Sequence, residues 1–410
     1  MKNDIHDVAV VGAGPGGLSA AWELVRSGFK PLVLERTSAV GDVWRHHYDG
    51  LKLNTGRVMS KLPGNPIPRS AGAWPSRDDL VKVLESMPAR GGYNVLTSAE
   101  VTRIERSATN DFWLITLADG RTYRSHAVVV ATGGSRLPVR PTWEDEASFK
   151  GRILHSSEFR NAKDFRGQRV LVVGCGNSAA EIASRLTEYA DEVFCSVRTP
   201  PHLLPKKIFG IPMAAWGLIL RYLPSRVSDT LLLWVQRLAI GNLTKFGLPL
   251  PTTRLSIKFS QTNVVPTLYA SFAEVVKAGR IQILGQLRSF SSNAVFLDER
   301  ISTTDETQVP QVSLAVDSVI LGTGFRTGLE GLIPIAGLIE PNGLPSVVGD
   351  QECPLAPNLY FIGQSNPLSG QLREIRIEAS RIARKLKKSL NKQRRPTADF
   401  SLDIADTEQA

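Results

Sequence analysis

Four unbroken apolar runs stand out along the chain: Val8-Ala-Val-Val11, Ala127-Val-Val-Val-Ala131, Val170-Leu-Val-Val173 and Val319-Ile-Leu321. Each is too short for an ordinary helix and lacks polar alternation. This is the pattern of strands buried on both faces of a parallel sheet. The first and third break into glycine turns, Gly12-Ala-Gly14-Pro-Gly16-Gly17 and Gly174-Cys-Gly176-Asn-Ser-Ala179, each followed by a helix of small residues and a second strand. The second and fourth break at Thr132-Gly133 and Thr323-Gly324, where the chain must turn sharply away. The pattern therefore predicts an α/β protein with two Rossmann-like, three-layer dinucleotide-binding domains, the second inserted in the first. The signals divide the chain into residues 5–165 for the first part of one domain, 166–318 for the inserted domain and 319–393 for the return.

The glycine turns carry specific chemistry. Gly12 permits the tight turn, and Gly14, with Gly16 beside it, lets backbone approach a pyrophosphate. Gly17 allows close packing of a helix whose N-terminal amides and dipole favour phosphate. The second strand of the first unit ends in Glu35-Arg36, where a carboxylate can accept hydrogen bonds from a ribose 2′-hydroxyl. In the second unit Gly174, Gly176, Asn177, Ser178 and Ala179 form the turn, and the following strand leads to Arg198. A guanidinium there suits a 2′-phosphate that a carboxylate would repel, although a solvated strand-end arginine is the alternative reading. The first unit is thus expected to hold FAD and the second NADPH.

Two helical pieces, Met213–Leu223 and Val227–Ile240, form an insert at about 213–240 in the second domain. Charged residues and Pro224 interrupt its apolar sequence before a membrane span is reached. It reads as a pocket cover, an oligomer contact or a purely structural hairpin, with contact to a membrane surface as a further reading. A long helix near the end places Ile375, Ala379, Ile382, Leu386 and Leu390 on one stripe, and Pro396 to Ala410 is expected to be a disordered tail.

Composition narrows the chemistry. The net charge of +10 sits largely on the solvent face of that last helix, so nucleic acid is not an expected partner, and cofactor phosphates with an acidic substrate account for the rest. Cys175, Cys195 and Cys353 form no CxxC pair, which removes a dithiol active site, and no His, Cys and carboxylate cluster has metal-ligand spacing. With no N-terminal signal pattern, a cytoplasmic location is expected.

Between the two domains lies Phe149-Lys-Gly151-Arg-Ile-Leu-His155-Ser-Ser-Glu-Phe159. This FxGxxxHxxxF spacing resembles the fingerprint of class B flavoprotein monooxygenases, and its terminal aromatic resembles the flavin-containing monooxygenase branch. Tyr48-Asp-Gly-Leu-Lys-Leu, Leu220-Arg-Tyr-Leu-Pro-Ser-Arg-Val-Ser-Asp and Lys245-Phe-Gly-Leu-Pro are similar to stretches of the plant YUCCA enzymes and their bacterial relatives. The resemblance implies that NADPH reduces FAD and that O2 adds at flavin C(4a). One oxygen atom of the resulting hydroperoxide then passes to a small-molecule substrate. The substrate class so implied is a 2-oxo acid undergoing oxidative decarboxylation, or a soft nitrogen or sulfur centre. The alternatives are a non-oxygenating flavin NADPH oxidoreductase and Baeyer–Villiger oxygenation of a ketone.

The same resemblance assigns roles. Asn54 matches a family asparagine near the flavin, whose amide can donate to the distal peroxide oxygen, an ordinary loop asparagine being the other reading. Trp44, in Gly41-Asp-Val-Trp44, matches an aromatic wall beside the isoalloxazine or else packs in the core. Thr132, Gly133, Thr323 and Gly324 mark the paired cofactor strands. Gly363 and Gln364 match the last FAD-contacting strand, with Gln364 expected to leave the flavin contact to backbone amides. His155 is expected to order the domain linker.

Overall fold

The computed structural model describes residues 5–107, 111–302 and 309–393. Strand β1 (Ile5–Val11) passes through the first glycine turn into α1 (Pro15–Arg26) and β2 (Leu32–Leu34). There follow α2 (Asp42–Arg45), α3 (Arg77–Gly91), β3 (Val95–Leu96), β4 (Val101–Arg106), β5 (Trp113–Leu117), β6 (Thr122–Val130) and β7 (Leu137–Pro138). Helix α3 starts in a capping box: the Asp79 N–H donates to Ser76 Oγ, and the Ser76 N–H donates to the Asp79 carboxylate. It stops at Gly92, whose φ of 68° is left-handed.

The inserted unit repeats the scheme. It contains β8 (Arg152–His155), β9 (Arg169–Val173), α4 (Asn177–Leu186) and β10 (Glu192–Ser196). A hairpin of β11 (Lys207–Ile208) and β12 (Ile211–Pro212) precedes α5 (Met213–Leu220), α6 (Ser225–Ala239), α7 (Leu255–Thr262) and α8 (Ala270–Lys277). Then come β13 (Gln282–Leu284), the meander β14 (Leu287–Phe290), β15 (Ala294–Asp298) and β16 (Gln311–Ala315), and β17 (Ser318–Leu321). The chain returns through β18 (Phe325–Arg326), α9 (Leu329–Leu332), β19 (Leu359–Phe361) and α10 (Gln371–Gln393).

The first sheet has the order β3-β2-β1-β6-β5-β4, with β19 also paired to β6, and the second has the order β13-β10-β9-β17-β8. In each, the Gly-turn strand lies parallel to the Thr-Gly strand: β1 beside β6, and β9 beside β17. Strand β6 pairs antiparallel with β5 through its first half and parallel with β19 through Val128–Val130. That register sets the end of β19 beside the Thr132 turn.

Both sheets are three-layered. Val8 and Val10 face a helical layer of α1, α3 and α10, whereas Ala9 and Val11 face the opposite core. Val170 and Val172 likewise face α4 and α8, and Leu171 and Val173 face the β14–β16 meander. All four runs read from the sequence are fully or nearly fully buried.

Two expected boundaries shift. Arg152–His155 and Ser318–Leu321 are adjacent parallel strands of the second sheet, whereas residues up to 165 were expected in the first domain and a division was expected at 318. Main-chain pairing between these two crossing segments, which a linear apolar pattern does not encode, draws both into the inserted unit. The insert's two helices exist but are shorter than expected, ending at Leu220 and Ala239. The expected tail, 396–410, lies outside the described residues. Among the described residues, no helix is long and apolar enough to cross a membrane.

Candidate active site

The two turns use the same geometry. Gly12 has φ +103° and Gly174 φ +107°, and a Cβ on either would come within 2.6 Å of Ala131 O or 2.5 Å of Gly322 O. Each turn therefore presses against the Thr-Gly strand beside it, and only glycine fits. The third position differs between the two units. A Cβ on Gly17 would lie 1.8 Å from Gly12 O, whereas the second unit carries Ala179, which in turn packs against Gly322, where a Cβ would meet Ala179 Cβ at 2.6 Å.

Gly14 and Gly176 are different again. They are the N-caps of α1 and α4, neither helix has a side-chain cap, and a Cβ on either meets no protein atom within 4 Å. Both helix N-termini thus face open space with unsatisfied amides, the arrangement that receives a pyrophosphate.

That space is one cavity of about 570 Å³, and it brings most of the expected site together. Gly12, Gly14, Gly16, Glu35, Arg36, Trp44, Thr132 and Gly133 line it from the first unit. Gly176, Asn177, Ser178, Ala179 and Gly324 line it from the second, and Gly363 and Gln364 from the return. The Glu35 carboxylate accepts from the Ala13 N–H at 2.6 Å and from the Thr37 N–H and hydroxyl at 3.0 and 2.9 Å. It is thus fixed by its own turn with acceptor capacity left for a ribose hydroxyl.

The cavity's polar demands are unmet by protein. Thr132 Oγ1 and both amide atoms of Gln364 are buried without a hydrogen-bond partner. Leaving such atoms unpaired is costly, and a polar ring system or diphosphate seated here would satisfy them. The residues therefore fit a dinucleotide flavin.

Five expected residues do not reach the cavity. Gly17 and Gly174 act behind it as packing positions, and the Thr323 hydroxyl is taken up by Val139 O. Arg198 lies beyond the end of β10 in solvent and lines neither cavity; its exposed neighbour Thr199 borders the second cavity. Asn54 is half-buried and off the cavity. Its loop is pulled toward residues 73–76 by the Leu53 N–H donating to Pro75 O at 2.9 Å and by the Lys52–Ser76 bridge. His155 takes the linker role: it is fully buried, bonded to Gly324 O at 3.0 Å and Ser157 Oγ at 2.9 Å, and set edge-on to Phe325.

Other residues at the site carry no sequence signal. His47 lines the cavity beside Trp44, with ring centroids 5.3 Å apart. Burial first, then the Arg77 and Arg160 guanidinium groups, hold its imidazole down at about 4, so it is neutral at pH 7. Asn263 reaches across the domains: its Nδ2 donates to Gln364 O at 2.6 Å and its Oδ1 accepts from the Asn366 N–H at 3.2 Å. From the opposite side Glu378 of α10 accepts from the Gly363 N–H at 2.8 Å and the Ser365 hydroxyl at 3.0 Å. A second cavity of about 130 Å³ adjoins the first across Gly176, Val264 and Val265, and it contains Lys258, whose ammonium burial shifts downward.

A profile of the pyridine nucleotide-disulphide oxidoreductase family matches residues 9–206. The indole-3-pyruvate monooxygenase YUCCA1 of Oryza sativa subsp. japonica is 31% identical over 362 residues, covering 88% of this chain and 86% of that protein. The chain belongs to the YUCCA-like flavin monooxygenases. YUCCA8 of Oryza sativa subsp. indica is 35% identical over 332 residues, 78% of this chain and 76% of its own. Among solved structures, a flavin-containing monooxygenase from Stenotrophomonas maltophilia shares the fold with a TM-score of 0.66 at 23% identity, covering 94% of this chain and 99% of that one. An open crystal structure of cyclohexanone monooxygenase reaches 0.70 at 16% identity, with 94% and 88% coverage. As a YUCCA-like flavin monooxygenase the protein is an oxidoreductase with FAD and NADPH as cofactors. The cysteines Cys175, Cys195 and Cys353 are free and buried.

Proposed function

We propose that this flavin monooxygenase delivers one oxygen atom of O2 to a small 2-oxo acid, which loses its carboxyl group as CO2. The observation that carries the reading is that both dinucleotide turns, Gly14 on α1 and Gly176 on α4, open on one cavity, so a reduced nicotinamide and a flavin can meet. Relatives named indole-3-pyruvate monooxygenases support the substrate class. FAD and NADPH, when bound, supply the redox chemistry with O2.

The chain's own groups orient and insulate. The N-termini of α1 and α4 hold the two pyrophosphates, Glu35 takes ribose hydroxyls, and Arg36 flanks the adenosine. Thr132 and Gln364 offer hydrogen bonds at the reacting end, and Trp44 walls it. This reverses the minor role expected for Gln364. A buried unpaired amide on the cavity is a better donor to activated oxygen than the half-buried Asn54, and it donates without giving up a proton. His47 is neutral at pH 7 and so adds no acid beside the oxygen chemistry. The 2′-phosphate of NADPH falls to Lys258 in the adjoining cavity, with the solvent-exposed Arg198 as a secondary contact. Free, buried cysteines suit a reducing compartment, and we place the protein in the cytoplasm.

The test is NADPH consumption over a panel of 2-oxo acids, amines, sulfides and ketones, with product masses measured. A 2-oxo acid converted to the carboxylic acid one carbon shorter is the expected result. Turnover confined to amines, sulfides or ketones with one added oxygen would replace the substrate class. NADPH oxidation without any oxygenated product would make the chain a flavin reductase.

A further inference from the structure

Helix α6 is amphipathic in the wrong direction for a helix of a free-standing enzyme. Its buried stripe, at i, i+3 and i+7, is Asp229, Leu232 and Gln236, two of them polar. Its outer stripe, at i, i+4, i+7 and i+11, is Val227, Leu231, Trp234 and Leu238, which are 46, 45, 57 and 80% exposed. The inward polar groups are satisfied. Asp229 accepts from the Ser256 N–H at 3.0 Å and the Ser256 hydroxyl at 2.6 Å, and Gln236 Oε1 accepts from the Leu203 N–H at 3.2 Å. The outward apolar groups are left to solvent. Ile219 and Tyr222 in the α5–α6 corner, and Phe209 at the tip of the β11–β12 hairpin, add further exposed apolar surface to the same insert.

Charge identifies the occupant. Between Glu192 and Glu274 the chain carries nine Lys and Arg and one acid, Asp229, whose carboxylate is turned inward. Arg226 and Arg237 are exposed on α6, and Arg221 is exposed in the corner before it. A twofold contact with a second copy through this stripe would set one cationic patch against another. An anionic bilayer supplies the opposite charge and takes the apolar stripe into its headgroup boundary. We propose that the α5–α6 insert docks this enzyme on anionic lipid surfaces, with Leu231, Trp234 and Leu238 lying in the plane of the interface and Arg226 and Arg237 on the headgroups. The proposal is independent of the substrate, because none of these residues lines the cofactor cavity.

The FAD-loaded full chain is mixed with vesicles of phosphatidylcholine alone or with an equal part of phosphatidylglycerol, and flotation is measured. Binding is expected only to the anionic vesicles, falling as salt is raised. A blue shift of tryptophan emission should accompany it and be absent from Trp234→Phe. Leu231→Ser with Leu238→Ser is expected to weaken binding about tenfold or more, and Arg226→Gln or Arg237→Gln about fivefold each. FAD content and NADPH oxidation should stay unchanged in all of them. Three results would overturn the assignment. One is no flotation with either vesicle. Another is a dimer in sedimentation velocity that the Leu231/Leu238 double substitution dissolves, which gives the stripe to a second copy. The last is protection of Trp234 from acrylamide in the free monomer, which shows that the chain itself covers it.

Discussion

Gly14 makes a discriminating test at the level of single residues because a side chain there clashes with no protein atom. Gly14→Val should therefore fold with near-native stability yet purify without flavin absorbance, since its methyls occupy the pyrophosphate space. A yellow, stoichiometrically loaded variant would show that the diphosphate binds elsewhere. The two amides are separated by peroxide release. Gln364→Ala is expected to raise hydrogen peroxide formed per NADPH severalfold, and Asn54→Ala to leave it near the parent value; the reverse pattern would restore the loop asparagine. His47 ties the site to pH. Above pH 6.5 its imidazole is neutral whether the chain is folded or unfolded. Between 6.5 and about 4 the unfolded chain takes up a proton that the folded site refuses, so stability is lost as pH falls through that window. With allowance for solvent reaching the half-buried ring, the loss is roughly 2 kcal/mol. Thermal denaturation of His47→Gln across pH 4–7 should show a correspondingly flatter profile than the parent.

The elements that matter most are those holding the loop after β19. Residues 363–366 have no regular structure, yet they carry the buried Gln364 amide, so their position rests on neighbours. Glu378 grips them from α10, whose apolar stripe of Ile375, Ala379, Ile382, Leu386 and Leu390 is buried beside α1. Burial pushes the Glu378 carboxyl up, while the Gly363 N–H and Ser365 hydroxyl it accepts from hold it down. Glu378→Ala leaves a buried N–H unpaired and frees the loop. FAD affinity is expected to drop about tenfold, by the loss of the hydrogen bonds that hold the loop, although Glu378 does not line the cavity. Unchanged flavin affinity in a folded variant would mean that Asn263 alone suffices.

Across the whole molecule the two dinucleotide units act through their junction. Asn263 ends α7 in the inserted domain and fastens Gln364 and Asn366 of the first. Arg185 of α4 donates to Asp49 O and Gly50 O at 3.1 and 2.7 Å while paired with Glu181. On the proposed reading, cofactor choice would follow from the charge difference between Glu35 in one unit and Lys258, with Arg198 outside it, in the other. Lys258→Gln should cost NADPH about tenfold in the reductive half-reaction and spare NADH. Arg198→Ala should act in the same direction but less, because its side chain lies in solvent. An unchanged NADPH to NADH ratio in both variants would move the 2′-phosphate to another group.

The sequence by itself determined the repeated strand, glycine turn and helix units and their pairing with the Thr-Gly strands. Buried parallel strands require unbroken apolar runs, and the turns require glycine, so each leaves a local signature. Gly17 against Ala179 illustrates the limit of that signature. Both positions are legible as tight packing, but only the fold shows that Gly12 O bars a methyl at Gly17 and that Ala179 bars one at Gly322. What tertiary structure alone decided depends on groups far apart in the chain. Gln364 became the orphaned donor because β19 pairs with β6 and because Asn263 and Glu378 hold its loop from two domains. Asn54 was drawn off the cavity by residues 73–76, and α7 brought Lys258 into the second cavity while Arg198 stayed outside. Helix α6 shows the same division: its periodicity announces an amphipathic helix, but only its packing reveals that the apolar stripe faces outward. Local sequence encodes the conformation of a segment and which faces differ, whereas burial and hydrogen-bond partners are set by what the fold places opposite.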